Sequence, residues 1–181
     1  MKQIKMTISK KSINKAIDDL RKYKLSLMTK NELFVTKLLE DGISIAEVSK
    51  GFYGMYIVFD KKVENVGSTT VGCLIGKDTK KLPITWNYYG HPKTREISPI
   101  LFAEFGSGWL AEVLFDVSGV GQGSYPDQEH AFEPGGWSYM TMDGEWHHSK
   151  GFKPSHPMYK AELEMLDRII DIAREVYGSD I

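Results

Sequence analysis

Side chains that could bind a metal or transfer a proton are concentrated in one stretch near the C-terminus. Asp143, Glu145, His147, His148 and His156 lie there, and imidazole and carboxylate groups are common zinc ligands. Their spacing fits no helical or knuckle ligand motif, and neighbours in a strand such as His147 and His148 point to opposite faces. We therefore predict no metal site.

A nucleophile or a phosphate-binding loop is not indicated either. Cys73, the single cysteine, lies in an apolar run that predicts a buried strand position, and no serine stands in a Gly-x-Ser-x-Gly turn. The glycine-rich residues 117–123 lack the Gly-Lys-Ser/Thr ending of a P-loop. The sequence therefore predicts no catalytic residue and no cofactor.

Glu104 is the one charged side chain in the apolar run of residues 100–105. A lone carboxylate could act in catalysis, but general acid–base chemistry of this kind usually pairs it with a second group. No partner carboxylate is near in the sequence, so an exposed or helix-capping role is the favoured interpretation.

The charge of the chain is unevenly distributed along its length. Residues 1–30 carry nine Lys/Arg and two Asp, giving +7, and residues 150–181 carry five basic and six acidic groups, giving −1. Because the whole chain is −1, the middle carries −7. Such asymmetry favours head-to-tail contact with copies or partners, and the separation of lysines from aromatics disfavours nucleic-acid binding.

No targeting or membrane segment is predicted. The N-terminus lacks the apolar core of a signal peptide, and no run approaches the roughly 18 apolar residues of a membrane span. We expect a protein made in the cytoplasm, without membrane partners.

The first half of the chain predicts helices and then strands. Residues 9–50 form the helical N-terminal part, with apolar side chains at three- and four-residue spacing after a serine cap. Thr29 opens a capping box, and whether it separates two helices or lies within one stays open. Gly42 permits a bend. Residues 54–89 predict a β-meander with polar linkers, one of which covers residues 60–68.

The second half is punctuated by proline and glycine. The predicted elements are a short helix over 98–106 (with a strand as the alternative), a long loop over 107–134, a β-hairpin over 137–148 turning at Asp143-Gly144, and a C-terminal helix over 157–177. The predicted fold is α+β: a single domain over 1–181, with an antiparallel sheet of about four strands packed against the long N-terminal and C-terminal helices and a long loop insertion.

Three segments resemble a known family, the head–tail joining or tail-completion proteins (minor capsid or neck proteins) of long-tailed bacteriophages and prophages. The first is the order of residues 12–17, 33–39 and 42–46. The second is Phe-Ala-Glu-Phe-Gly-Ser-Gly at 102–108, similar to the family's aromatic-x-Glu-Phe-Gly-Thr/Ser-Gly. The third is the order Trp-Ser-Tyr, Asp-Gly, Gly-Phe and Pro-Met-Tyr-Lys-Ala between residues 137 and 161. Residues 60–97 show no such likeness.

The resemblance implies a structural virion protein at the head–tail junction. Proteins of this kind are α+β modules that assemble as a ring, often a hexamer, whose partners are the head connector and tail tube proteins. DNA passes through the ring only as cargo. The alternatives from other classes are a small metal-dependent hydrolase using residues 143–156 and a monomeric prophage-encoded binding module.

Our hypothesis is that the turn at 104–108 and the hairpin-to-helix joint around 157–159 support a subunit or partner interface. The residues concerned are Glu104, Phe105, Gly106, Trp137, Pro157, Met158 and Tyr159. The competing interpretation is that Phe105, Met158 and Tyr159 simply belong to the core.

Overall fold

The computed structural model describes residues 9–88, 91–110 and 134–178. The helices in these ranges are α1 (Lys10–Val48), α2 (Pro99–Phe105) and α3 (Pro157–Tyr177), and a 3₁₀ turn (Gly51–Tyr56) follows α1. The strands are β1 (Ile57–Val66), β2 (Thr69–Asp78), β3 (Leu82–Tyr88), β4 (His91–Ile97), β5 (Ser107–Gly108), β6 (Trp137–Met140), β7 (Trp146–Ser149) and β8 (Gly151–Phe152). The predicted α+β class is confirmed.

One continuous helix, α1, occupies the region where the sequence left one or two helices open. The Ser9 side chain caps its start by accepting a hydrogen bond from the Ser12 amide at 3.2 Å. Thr29 does not cap a second helix, since its hydroxyl donates to the Leu25 carbonyl one turn earlier, at 3.2 Å. At 39 residues α1 is about 58 Å long, nearly twice the length of α3.

The prediction of one sheet of about four strands on the two long helices is wrong in its detail. The strands form a β1–β2 hairpin, a sheet of order β4-β3-β6-β7, and a small β5–β8 pair. Even the second sheet is two hairpins joined through the single pair Asn87–Met140. The chain leaves β2 at Asp78, whose carboxylate accepts a hydrogen bond from the Ile100 amide of α2 at 2.8 Å, and the next strand, β3, belongs to a separate sheet.

Charged side chains on β1 explain a second error. The predicted polar linker 60–68 is mostly strand, because its charges alternate with residues that face α1. The prediction of a buried Cys73 is also wrong, since this residue is exposed. The strand alternation turns its neighbour Gly72 toward α1 instead, where an added Cβ would meet Val35 and Leu39.

The elements of the second half lie close to their predicted positions. The Ser98 side chain and Pro99 begin α2, and Pro157 and Gly178 bound α3. The β6–β7 hairpin turns through Gly144 at φ 87°, with the Gly144 amide donating to the Thr141 carbonyl at 3.0 Å, as in a type I turn with a glycine bulge. Of the predicted loop 107–134, residues 107–108 form β5, and residues 111–133 lie outside the described ranges.

The main packing contact joins α3 to the second half of α1. The two helices run antiparallel, since Arg168 pairs with Asp41 (3.5 Å) and the Tyr177 hydroxyl donates to Asn31 (2.6 Å). Gly42 lies against α3, where an added Cβ would be 2.8 Å from the Met165 sulfur. Buried apolar side chains complete this core, among them Leu39, Ala46, Ile57, Phe102, Ala161 and Ile172.

Candidate functional site

The end of α2 and the start of α3 form a joint in which each helix satisfies the unpaired backbone groups of the other. The Glu104 carboxylate accepts hydrogen bonds from the Met158 amide (2.8 Å) and the Tyr159 amide (3.0 Å). In return, the Ala103 carbonyl accepts from the amides of Ser155 (2.8 Å) and His156 (3.0 Å). Helix ends leave such donors and acceptors unpaired, so the joint fixes the two helices relative to each other.

The Glu104 carboxylate also suits this position electrostatically. The first turn of α3 contains no acidic side chain of its own. A negative charge at a helix N-terminus is favoured by the partial positive charge of the unpaired amides. Of a catalytic, an exposed and a helix-capping role for Glu104, helix capping is the one the structure shows.

Glycines let the backbone segments of the joint approach one another. Gly106 has φ 70°, and an added Cβ would lie 2.7 Å from Pro154 Cδ. Gly151 has φ 104°, and its added Cβ would overlap the Ser107 carbonyl of the paired strand β5. Any larger residue at these two positions would push β5 and β8 apart.

His156 is the last residue of the turn that leads into α3. Its backbone is left-handed (φ 53°, ψ 53°), a conformation that is uncommon for a residue with a Cβ. Its ring lies edge-on to Tyr159, with 6.4 Å between ring centroids. This histidine therefore has a structural position in the joint.

An open apolar groove of about 510 Å³ lies beside the joint. Its walls come from β2 (Leu74), α2 (Leu101, Phe105) and α3 (Met158, Tyr159). Glu104 and Glu162 supply the carboxylates at the groove. With apolar walls and few polar groups, the groove is suited to hold an apolar side chain from another segment.

The seven predicted interface residues fall into a buried group and a half-buried group. Pro157 is fully buried and Gly106 is buried, so they shape the joint from within. Trp137 is half-buried, with its ring against Gly108. The half-buried residues that line the open groove are Glu104, Phe105, Met158 and Tyr159. The structure thus brings six of the seven positions to one joint or its groove, with Trp137 at the neighbouring β5–β8 pair.

The histidine-rich stretch is spread over separate contacts. His148 contacts the Ser138 hydroxyl (3.1 Å) and the Gly135 carbonyl (2.7 Å), while the His147 ring stacks on Tyr139. Within residues 9–88, 91–110 and 134–178, no three His, Cys, Asp or Glu side chains are grouped as metal ligands. Nor does any helix in those ranges have the length and apolar content needed to cross a bilayer.

Two exposed apolar surfaces were not predicted from the sequence. One is a stripe on the first half of α1, with Ile13 40%, Ile17 41% and Leu20 54% exposed. The other is a line along α3, Tyr159, Leu163, Leu166, Ile170 and Ala173, whose spacing alternates between four and three residues. We call this line the α3 seam. Its heptad spacing is present in the sequence, where its residues are interleaved with those of the opposite face, which packs on α1.

Comparisons of this chain with protein-family models, curated proteins and solved structures gave no significant match.

Proposed function

We propose that this chain is a structural protein of a phage or prophage that acts at the head–tail junction by assembling with copies of itself and with neighbouring virion proteins. The observation that carries the proposal is the joint. Two of the three segments that resemble the tail-completion family, residues 102–108 and 157–161, meet there through the Glu104 carboxylate. The two segments form one hydrogen-bonded unit beside an open apolar groove.

A ring subunit needs two different contact patches, because each copy binds one neighbour at its front and another at its back. The strong basic charge of residues 1–30 and the acidic middle of the chain provide such a difference in charge. Charge complementarity of this kind orients subunits and excludes wrong pairings. In this proposal the ring, a hexamer in many proteins of the family it resembles, lies between the head connector and the tail tube, with DNA passing through its channel.

Deletion of the gene from the encoding phage or prophage tests the proposed function. Electron microscopy of the induced particles should show filled heads and separate tails, and a plasmid copy of the gene should restore joined, infectious virions. Joined virions from the deletion strain would overturn the proposal. Stoichiometric metal in the purified protein would instead favour the hydrolase alternative.

The Tyr159→Glu variant tests the groove as a contact surface. Tyr159 is half-buried at the groove, so the charge should be tolerated by the monomer and should block assembly. Circular dichroism checks the fold, and plasmid complementation checks assembly. An unfolded variant would show that Tyr159 belongs to the core, whereas a folded variant that fully complements would show that the groove is not an interface.

A further inference from the structure

The first half of α1 extends past the two described elements that cover its second half, α3 and the β1–β2 hairpin. The Tyr177 hydroxyl at the end of α3 binds Asn31, and the Asn65 amide near the tip of the β1–β2 hairpin binds Glu32. Both coverings of α1 therefore end at the same level. Residues 10–30, about 31 Å of helix, continue beyond that level, and we call them the projecting half.

The projecting half has one apolar side. Ile13, Ala16, Leu20, Tyr23 and Leu27 follow heptad spacing, and apart from Ala16, at 9% exposure, the large side chains of this side are exposed or half-exposed. Seven Lys/Arg and two Asp within residues 10–30 give this half +5. It is an amphipathic helix with a basic exterior.

The α3 seam has the complementary properties. Leu163 is 47% exposed, and Leu166 and Ile170 are each 59% exposed. Five acidic and three basic side chains give α3 a charge of −2. The charged residues that flank the seam are Glu162 and Asp167, with Lys160 and Arg174 toward its two ends. At 21 residues α3 has the same length as the projecting half. The Tyr159 end of the seam opens into the groove beside the joint.

Pairing of two α3 seams would bring like charges together. In a parallel pair, heptad geometry sets Glu162 beside Asp167 of the other copy. In an antiparallel pair, it sets Lys160 beside Arg174. Two projecting halves would likewise bring +5 against +5. The charges therefore favour contact between the two different surfaces.

We propose that the projecting half of one copy docks along the α3 seam of the next copy. The proposal rests on the proposed function, since it supplies the front and back patches of a head-to-tail assembly. Because the two patches are different and lie on different parts of the chain, each copy can bind two neighbours, and the series closes into a ring if the rotation allows.

Disulfide cross-linking between two single-cysteine variants tests the contact. In a Cys73→Ser background, Leu20→Cys protein is mixed with size-tagged Leu166→Cys protein under a mild oxidant. The mixed dimer should dominate over both same-variant dimers. Leu25→Cys replaces Leu20→Cys as the control, since Leu25 is 64% exposed but lies about 140° around the helix from Leu20.

Each other result of the cross-linking overturns the proposal. Same-variant dimers in equal yield would show random contact or self-pairing, and an unchanged yield with Leu25→Cys would show no defined face. The competing hypothesis is that residues 111–133, which carry five acidic and no basic groups, bind the apolar side of the projecting half of their own chain. An intrachain disulfide between Leu20→Cys and Phe115→Cys in dilute protein would identify that occupant.

Sedimentation equilibrium of the Leu166→Asp variant gives a second readout. Loss of a leucine contact and burial of a carboxylate among apolar side chains should raise the Kd of assembly about 100-fold, and Leu25→Asp should leave it unchanged. Assembled rings that lack the Leu20–Leu166 cross-link would overturn the docking and leave the proposed function intact. The cross-link together with joined virions from the deletion strain would overturn the proposed function alone.

Discussion

The two halves of α1 carry similar apolar periodicity and have different surroundings. In residues 31–48, which α3 and the β1–β2 hairpin cover, Leu39 and Ala46 are buried, with 5% and 0% exposure. In residues 10–30, Leu20 and Tyr23 keep 54% and 47% of their surface in solvent. In the part of the chain that the structure describes, the same helix is thus a core element at one end and a mostly exposed amphipathic helix at the other, where Ala16 is the one buried position.

The difference between the halves is a consequence of length. A 21-residue α3 can cover only about 31 Å of a 39-residue helix, and the hairpin stops at the same level. Helical periodicity reports that one face is apolar, but it does not report what covers that face. A surface of this kind in a protein of ordinary composition is typical of an interaction site.

The largest expected effect comes from matched truncations in the two halves. Leu39→Ala should lower the free energy of unfolding by about 3 kcal/mol, since it removes a buried side chain and leaves a cavity. Leu20→Ala should change it by less than about 0.5 kcal/mol, because the side chain is already half in water. Urea unfolding of dilute protein, followed by circular dichroism, measures both.

Equal losses in the two variants would break the comparison, because they would mean that Leu20 is packed within its own chain. Repeating the urea unfolding at high protein concentration sharpens the comparison between the two halves. If the stripe is covered by a second copy, Leu20→Ala should become destabilising only there, since association stabilises the folded state by mass action.

The joint is a third kind of region, in which hydrogen bonds to backbone amides link the two helices. Glu104→Ala removes both acceptors at the start of α3 and should cost about 2 kcal/mol of unfolding free energy. Glu104→Gln keeps an acceptor and should cost about half as much. Hydrogen exchange at the Met158 and Tyr159 amides should accelerate in both variants.

The exposed Glu162, one turn into α3, provides the control for the joint. Glu162→Ala lies at the same groove but accepts no amide at the helix start, so it should stay within about 0.5 kcal/mol of the wild type. If Glu162→Ala and Glu104→Ala proved equal, net charge at the groove rather than capping would explain the result.

The sequence was a good guide where a residue type is strongly preferred at a helix end or in a turn. Pro157 and Gly178 bounded α3, Ser98 and Pro99 began α2, and Asp143-Gly144 located the hairpin turn. For Glu104 the sequence left an exposed and a helix-capping role open, and the structure shows capping of a helix more than fifty residues away in the chain. Proline, glycine and short polar side chains act within one turn, so their effects are local and readable.

Tertiary partners were not readable in the same way. The charges of β1 looked like a linker because Lys61 faces α1, where its amine pairs with Glu40, and that partner lies on another element. The division into three sheets depends on where the chain goes after Asp78, which no periodicity records. The α3 seam was masked by a second apolar stripe on the same helix.

The smallest expected effect concerns the hairpin that covers the packed half of α1. A hydrogen bond from Lys77 (3.1 Å), with a smaller contribution from the Lys61 amide (2.8 Å), holds the pKa of Asp60 below its ordinary value of 3.8. A carboxyl whose pKa is lower in the folded state stabilises the protein above its unfolded pKa, and that stabilisation is lost as the pH falls through the folded pKa. Because Asp60 is fully exposed, the effect is confined to acid pH and screened by salt.

Carbon-detected NMR titration of the Asp60 carboxyl measures this shift directly. Lys77→Gln should return the pKa of Asp60 toward 3.8, and Asp60→Asn should flatten the loss of stability below that pH while leaving neutral stability nearly unchanged. A titration of wild-type Asp60 at its ordinary pKa would show that the pair does not persist in solution. The hairpin would then be held on residues 31–48 of α1 by apolar contacts such as Leu39 with Gly72. Lowering the pH would then destabilise the two halves of α1 equally.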